Sequence, residues 1–332
     1  MNQRECFEKT DEIFRQKQTN AKLRQADRQA EVERKCPQII RLEQQMRATA
    51  SSFFAAAAER DISEQEFEQL KAKSLDLQHK RTELLEENGF PADYLDMKYE
   101  CPICRDTGFV GQQMCGCFKK ALSEQYLKSS GMDRLYETQD FKDFDLTCYA
   151  PQERAQMNMA LSFCKKYADE FGNKSPNLLF MGGPGCGKTF LTTAIGRQVI
   201  SEGHFVIYTT AQDMIDTFER RKFSKTSETE DDTDIYTECE LLIIDDLGTE
   251  FMTVFSETAL YNVINTRMNL GRPIIISTNL SASEITGAYH DRIASRLMYG
   301  SVKLQLCGGD VRRIKEIRKT RGRAHKTDPN RD

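Results

Sequence analysis

The stretch NLLFMGGPGCGKTF, residues 177–190, joins an apolar run to a glycine-rich loop and determines the fold of this chain. Glycines let the backbone curl so that successive amide N–H groups point at phosphate oxygens, and a helix that begins at Lys188 adds its positive amino-terminal end. The spacing G-x-x-x-x-G-K-T over residues 182–189 therefore predicts a nucleotide phosphate-binding loop between a strand and a helix. The alternative is a glycine-rich turn without a ligand, which the strand-then-helix context disfavours.

Two side chains of this loop have predicted chemical roles. Lys188 is expected to reach the β- and γ-phosphates of the nucleotide, and the hydroxyl of Thr189 is expected to coordinate Mg²⁺. The predicted cofactor-binding residues of the loop are Gly182, Gly183, Pro184, Gly185, Cys186, Gly187, Lys188, Thr189 and Phe190.

A second apolar run, Leu241–Ile244, ends in the acidic pair Asp245-Asp246. Ligands of parallel sheets bind at the carboxyl ends of the strands, so Asp245 is placed to hold Mg²⁺. Asp246 is placed to orient the attacking water as a general base. Alone, this pattern also fits a core strand followed by a turn; together with the glycine loop it indicates a nucleotide hydrolase.

Two further segments favour ATP hydrolysis over binding alone. The run Pro273–Asn279 reads as a buried strand with a polar tip, which would bring the Asn279 amide near the γ-phosphate and the water. Arg292 and Arg296 stand four residues apart and share one face of a predicted helix. An arginine that reaches a neighbouring subunit's nucleotide would stabilise transition-state charge, whereas the alternative is an ordinary surface arginine.

Apolar runs alternate with helical patterns from about residue 141 onward, which predicts an α/β fold with a parallel sheet flanked by helices. The predicted strands are Asn177–Met181, Phe205–Thr209, Leu241–Ile244, Ile274–Ser277 and Val302–Leu306. The predicted helices cover 152–171, 188–202, 212–222, 256–270 and 290–299.

Residues 2–88 are predicted to be helical almost throughout, with a break at Pro37. Two apolar stripes suggest an antiparallel helical hairpin with coiled-coil character. The stripe residues are Ile39, Leu42, Met46 and Phe53 on one helix, and Phe67, Leu70, Leu77 and Leu84 on the next. The hairpin is either a solvated spacer or an arm that docks on a partner protein.

Four of the 11 cysteines fall within one 17-residue window, at Cys101, Cys104, Cys115 and Cys117. The C-P-I-C knuckle allows two sulfurs to reach one ion at about 2.3 Å, and no histidine lies nearby, so the expected site is closed and all-sulfur. This pattern predicts structural Zn²⁺. A redox dithiol and an iron–sulfur cluster are the alternatives.

Composition limits the remaining possibilities. There are 47 Lys and Arg against 51 Asp and Glu, so the whole chain is not a basic nucleic-acid-binding protein. Residues 312–326 are nonetheless strongly basic and could contact DNA phosphates, although such runs are more often solvated. No apolar stretch is long enough to span a membrane and the first residues lack a secretory signal, so a cytoplasmic protein is expected.

The segments GGPGCGKT, LLIIDDLGTE, ISTNLS, DRIASRL and GGDVRR follow one another in an order that resembles AAA+ ATPases. In particular, the chain is similar to the DnaC/DnaI family of replicative helicase loaders and to the related IstB-like transposition ATPases. The resemblance implies that Lys188 and Thr189 form Walker A and that Asp245 and Asp246 form Walker B. It further implies Asn279 as sensor 1, Arg296 as the arginine finger and Arg312 as a nucleotide-binding sensor 2 arginine. One departure is Asp246, where most AAA+ proteins have glutamate, which puts fast hydrolysis in doubt; Glu250 is a weaker candidate for the base.

The resemblance also implies a biological role. The chain would load or remodel a replicative DNA helicase, gripping it with the arm, near single-stranded DNA, as a homo-oligomer of its ATPase modules. An IstB-like helper that binds DNA and a transposase, a non-hydrolysing scaffold and a small-molecule kinase are the alternatives. The expected segments are a helical arm (1–98), a four-cysteine zinc module (99–120), an AAA+ ATPase domain (136–320) and a basic disordered tail (321–332).

Overall fold

The computed structural model describes residues 3–58, 64–223 and 233–324. The helices are α1 (Gln3–Lys35), α2 (Gln38–Ala58), α3 (Glu64–Glu87), α4 (Gly116–Ser129), α5 (Asp133–Thr138), α6 (Pro151–Asp169), α7 (Lys188–Ser201), α8 (Ala211–Phe223), α9 (Ile235–Glu238), α10 (Val254–Asn269), α11 (Ala282–Ala288), α12 (Asp291–Tyr299) and α13 (Val311–Ala324). The strands are β1 (Phe109–Val110), β2 (Gln113–Met114), β3 (Asn177–Met181), β4 (Val206–Thr210), β5 (Leu241–Leu247), β6 (Ile274–Thr278) and β7 (Ser301–Gln305). Two short 3-10 helices span Phe141–Asp143 and Leu146–Cys148.

The larger unit of the chain is built on a five-stranded parallel sheet with the order β4-β5-β6-β3-β7. Its central strands are buried on both faces, and their sequences are accordingly near-continuous runs of Leu and Ile. The predicted α/β class and parallel sheet are therefore confirmed. Because β3 lies directly beside β6, the carboxyl ends of these two strands meet at one edge of the sheet.

The register of the sheet determines which side chains meet at the carboxyl ends of β3 and β6. Met181 pairs with Thr278, so the glycine loop after β3 and Asn279 after β6 begin side by side. In the pairing of β5 with β6 the register shifts between Ile244 and Leu247, at the acidic pair. This irregularity turns Asp246 into a left-handed conformation with φ of 54°.

Helices pack against the sheet and close its core. Leu178 and Phe180 of β3 lie fully buried with Leu191 and Ile195 of α7 and Met157 of α6. The outer edge of β4 is covered by α4, where the Val206 amide donates to the Ser123 hydroxyl at 3.0 Å.

A buried arginine holds the amino ends of β5 and β6. Arg267 of α10 is fully buried, and burial lowers its pKa. Its guanidinium donates to four backbone carbonyls, those of Tyr236, Cys239, Glu240 and Pro273. The last two residues immediately precede β5 and β6, so this cation fixes where both strands start.

The chain divides into two compact units, residues 13–107 and residues 1–12 with 108–332. In the first unit, α2 and α3 pack side by side as an antiparallel pair, as predicted. Arg81 donates to Glu43 at 2.9 Å between them. The buried cluster of this unit comprises Val32, Cys36, Ile39, Leu85, Phe90 and Leu95.

The predicted stripes of this pair are only partly buried. Ile39 and Leu77 are buried, whereas Phe67 is 39% exposed. Leu85 is fully buried in the cluster, and the predicted residues Leu42 and Leu84 pack against it as partly buried side chains. The side chain of Phe53 lies outside the described residues.

Some boundaries differ from those predicted. The sequence placed the ATPase start at 136, but α4, which lies upstream of that position, already packs on β4. At the other end, α13 continues to Ala324, past the predicted boundary at 320; residues 325–332 lie outside the described residues. None of the helices in the described part of the chain combines the length and apolar character that crossing a bilayer requires.

Candidate nucleotide-binding site

The glycine loop connects β3 to α7 in a tightly curled conformation. Gly185 and Gly187 have φ values of 73° and 105°, which residues with side chains rarely adopt. A Cβ on Gly185 would lie 2.3 Å from the carboxylate of Asp310, so only glycine fits at this close approach. Gly187 is also the amino cap of α7, whose free amides point out of this end of the helix.

Lys188 is buried, and its ammonium group is held by three oxygen atoms. Its Nζ donates to the carbonyls of Gly182 at 2.7 Å and Gly183 at 3.0 Å, and to Oδ1 of Asn279 at 2.6 Å. These partners are neutral dipoles, so the positive charge is solvated without being cancelled. The site is consequently suited to an anion.

The acidic pair after the apolar part of β5 is organised by Ser277 of β6. The Ser277 hydroxyl donates to the buried Asp245 carboxylate and accepts the Asp246 amide at 3.0 Å. Burial, followed by the negative charge of Asp245, raises the pKa of Asp246. A carboxylate with a raised pKa is a stronger base, which fits the role predicted for Asp246.

A cavity of about 640 Å³ lies against the loop and the strand ends, a volume in the range of small-molecule sites. Its lining includes nine of the predicted site residues: Pro184, Gly185, Gly187, Lys188, Thr189, Phe190, Asp246, Asn279 and Arg312. Leu135, Thr138, Gln139 and Val311 complete it. The structure thus brings together residues from four separate segments at the place where the sequence predicted them to meet.

Helix α13 contacts the glycine loop directly. The Val311 amide donates to the Gly185 carbonyl at 3.1 Å, and Asp310 caps the helix by accepting the Arg312 amide at 3.0 Å. Arg312 therefore reaches the cavity from a helix that is attached to the phosphate loop itself.

Arg296 lies apart from this cavity. Its guanidinium donates to Asn265 Oδ1 at 2.7 and 3.1 Å and lies over the Tyr261 ring, 4.8 Å from the ring centre. Glu250 is also directed elsewhere, because its carboxylate accepts the Tyr289 hydroxyl and the Gly248 amide. Neither residue lines the cavity of this chain.

Comparison with known proteins identifies the family. The family described as IstB-like ATP binding protein matches residues 122–319, more than half of the chain. The chain belongs to the IstB-like ATP-binding protein family. The relationship to this family that the sequence predicted is confirmed.

Several proteins resemble this IstB-like chain. The replicative helicase loader DnaC of Escherichia coli is 27% identical over 198 residues, which is 57% of this chain and 79% of the loader. The putative ATP-binding protein of insertion sequence IS5376 from Geobacillus stearothermophilus is 28% identical over 199 residues, covering 58% and 75% of the two chains. A crystal structure of DnaI aligns with a TM-score of 0.43 at 21% identity, over 54% of this chain and 93% of that one.

Some residues of the IstB-like site escaped the sequence analysis. Ser277 links the two acidic residues to β6, and Gln139 and Thr138 line the cavity from a segment about 40 residues upstream of the loop. The polar character of Ser277 directly after the apolar run Ile274–Ile276 was the one available signal. Thr138 ends the six-residue helix α5 and Gln139 follows it, and a helix this short has no periodic pattern that would mark the residues facing the cavity.

The four clustered cysteines lie within one continuous stretch, and their sulfur atoms are all within 4.8 Å of one another. Cys104 and Cys115 are buried, and Cys101 and Cys117 are half-buried. Asp106 orders the first knuckle by accepting the amides of Glu100 at 2.9 Å and Cys101 at 2.8 Å. Four convergent thiols of this kind fit a closed tetrahedral site for a thiophilic metal ion such as Zn²⁺.

We expect the purified protein to carry one zinc ion per chain, and Cys104→Ser to lose it, since a three-thiolate remnant binds zinc much more weakly. Metal content after gel filtration, and release into a chromogenic chelator, would measure this. Cys307→Ser is the matched control because Cys307 lies outside the cluster and should keep its zinc. Equal zinc in both variants would contradict the site, and visible absorbance with bound iron would indicate a cluster instead.

Proposed function

We propose that this chain binds and hydrolyses MgATP in the cavity and uses the cycle to load or remodel a replicative DNA helicase. The observation that carries the proposal is the convergence of Lys188, Asp246 and Asn279 on one cavity. A cation, a base and an amide at the carboxyl ends of adjacent strands are the groups that phosphoryl transfer requires.

Lys188 and the loop amides would bind the phosphates. The ammonium already faces the cavity, so a β- or γ-phosphate oxygen would replace one of its present carbonyl or amide partners with a charged acceptor. Charge-assisted hydrogen bonds are about twice as strong as neutral ones, which favours the exchange. Arg312, which lines the same cavity, would add a second positive charge.

Thr189 and Asp245 would hold the metal ion that accompanies the nucleotide. Hydroxyl and carboxylate oxygens are the ligands that Mg²⁺ prefers, and Mg²⁺, when bound, neutralises phosphate charge. Asp245 is buried and kept in place by Ser277, so its carboxylate is preorganised. Asp246, which lines the cavity, would then accept the proton of the attacking water.

Arg296 would serve a neighbouring subunit. Within its own chain it lies outside the cavity, on a helix whose other arginine, Arg292, is exposed. This placement supports a homo-oligomer in which ATP lies between ATPase modules and Arg296 reaches the γ-phosphate of the next chain.

The relatives support the helicase-loading role. DnaC is named a replicative helicase loader, and its match covers 57% of this chain and 79% of the loader. The arm would provide the partner contact, because α2 and α3 form an open groove of about 360 Å³ beside Phe67 and Leu75, which are 39% and 49% exposed. Single-stranded DNA would lie near the ATPase modules.

A second candidate function is that of a transposition helper which binds double-stranded DNA and a transposase. The family match and the insertion-sequence relative favour it. Co-purification of the full chain with the host hexameric helicase, with and without ATP, separates the two. Retention of a transposase and double-stranded DNA, but no helicase, would favour the helper.

Lys188→Ala is expected to weaken ATP binding by at least about a hundredfold and to abolish hydrolysis, because the buried cation facing the phosphates is lost. Titration calorimetry with MgATP and a phosphate-release assay measure the two effects. Lys303→Ala is the control, since Lys303 is an exposed lysine on the edge strand β7. Unchanged affinity in Lys188→Ala would refute the site.

Arg296→Ala is expected to retain ATP affinity while hydrolysis at high protein concentration falls by at least about tenfold. The expectation follows from the position of Arg296 outside the cavity of its own chain. Turnover per chain, measured against protein concentration, gives the readout. Arg292→Ala on the same helix is the comparison and should retain turnover. Equal loss of binding and hydrolysis in Arg296→Ala would argue against a role in a neighbouring site.

Leu75→Glu is expected to abolish co-purification of the helicase while leaving ATP binding intact, because it places a charge in the apolar groove of the arm. The matched control is Leu270→Glu, which changes a similarly exposed leucine of the other unit. Pull-down with tagged full-length protein provides the measurement. Retention of the helicase by Leu75→Glu would show that the groove is not the docking surface.

A further inference from the structure

Tyr149 contacts the glycine loop from outside the cavity. It is buried, and its hydroxyl donates to the backbone carbonyl of Cys186 at 2.9 Å. Its ring stacks on Phe144 with centroids 5.7 Å apart, and Phe144 packs edge-on against Phe190 at 5.4 Å. Because aromatic neighbours fix the ring, the direction of the hydroxyl is fixed as well.

The carbonyl that Tyr149 binds belongs to the same peptide unit as the amide of Gly187. No cis peptide bond occurs in the described part of the chain, so the C=O of Cys186 and the N–H of Gly187 point in opposite directions. The carbonyl points towards Tyr149. The N–H must therefore point away from the tyrosine, towards the side on which Gly187 lines the cavity.

The packing of Gly187 supports this arrangement. A Cβ on Gly187 would lie 2.7 Å from the Tyr149 hydroxyl oxygen and 3.3 Å from the Phe144 ring, so the peptide lies directly on these two side chains. Gly187 also has a φ of 105°, which makes this peptide plane easy to rotate in the absence of a restraint. A rotated plane would present a carbonyl oxygen, instead of an amide, to the phosphates.

We propose that Tyr149 is a positioning residue, whose hydroxyl fixes the Cys186–Gly187 peptide so that the Gly187 amide faces the nucleotide phosphates. This role of Tyr149 rests on the proposed function and adds to the ATP site a residue that lies outside the loop motif. Burial raises the pKa of the Tyr149 hydroxyl, so the group remains a hydrogen-bond donor throughout the physiological range.

The test is Tyr149→Phe, which removes only the hydroxyl and keeps the aromatic stack. We expect the Kd for ATP and ADP to rise about three- to tenfold, the effect of one misplaced hydrogen bond. The affinity for adenosine, measured by competition, should change less than about twofold because adenosine has no phosphate. Titration calorimetry and thermal unfolding on the zinc-loaded full chain give affinity and stability separately.

Tyr167→Phe is the matched control. Its hydroxyl is also that of a buried tyrosine and donates to a backbone carbonyl, that of Pro176 at 3.0 Å, but it does not line the cavity. Tyr167→Phe should lower the unfolding temperature to the same extent as Tyr149→Phe and leave the affinity for ATP unchanged.

The outcomes separate this inference from the proposed function. Wild-type affinity for ATP in Tyr149→Phe, with binding lost in Lys188→Ala, would overturn the role of Tyr149 and leave the ATP site standing. Equal losses for ATP and adenosine would also overturn it, since they would indicate a general disturbance of the cavity. Absence of ATP binding by the unaltered protein would refute the proposed function itself.

Discussion

The site depends on one buried cation that is held by neutral oxygen atoms. Removing an ammonium group from water is costly unless hydrogen bonds replace its solvation. Lys188 donates such bonds to two loop carbonyls and to the Asn279 side chain. This solution requires β3 and β6 to be neighbours, because only then do the loop and Asn279 begin at the same level of the sheet. The hydrogen bonds of Lys188 therefore depend on the neighbouring positions of β3 and β6 in the sheet.

The amino ends of the strands are fixed by a related arrangement. Arg267 is likewise buried and bound by backbone carbonyls, at the start of β5 and β6. The opposite ends of these strands carry Asp245 and Asn279. Arg267 thus fixes the start of β5 and β6, while Lys188 binds the Asn279 side chain that follows β6 at the cavity.

The sequence predicted those features that depend on local pattern. Glycine spacing, apolar runs and the Cys101–Cys117 pattern are short-range signals, so the loop, the strands and the convergence of the four thiols were accessible. Helix α11, the small β1–β2 hairpin and the order of the strands were not, because they depend on tertiary packing. Ser277 and Tyr149 act through contacts with residues more than 30 positions away, which no local pattern encodes.

The left-handed backbone at Asp246 bears on its departure from the glutamate that the resemblance leads one to expect. Short polar side chains such as those of Asp and Asn are the non-glycine residues most often found in this region of conformational space. The bulge in β5 and the choice of the shorter acid are therefore mutually consistent. The shorter side chain of Asp246 also ends one methylene group short of where a glutamate carboxylate would reach, so the backbone of this strand end sets how far its acid extends into the cavity.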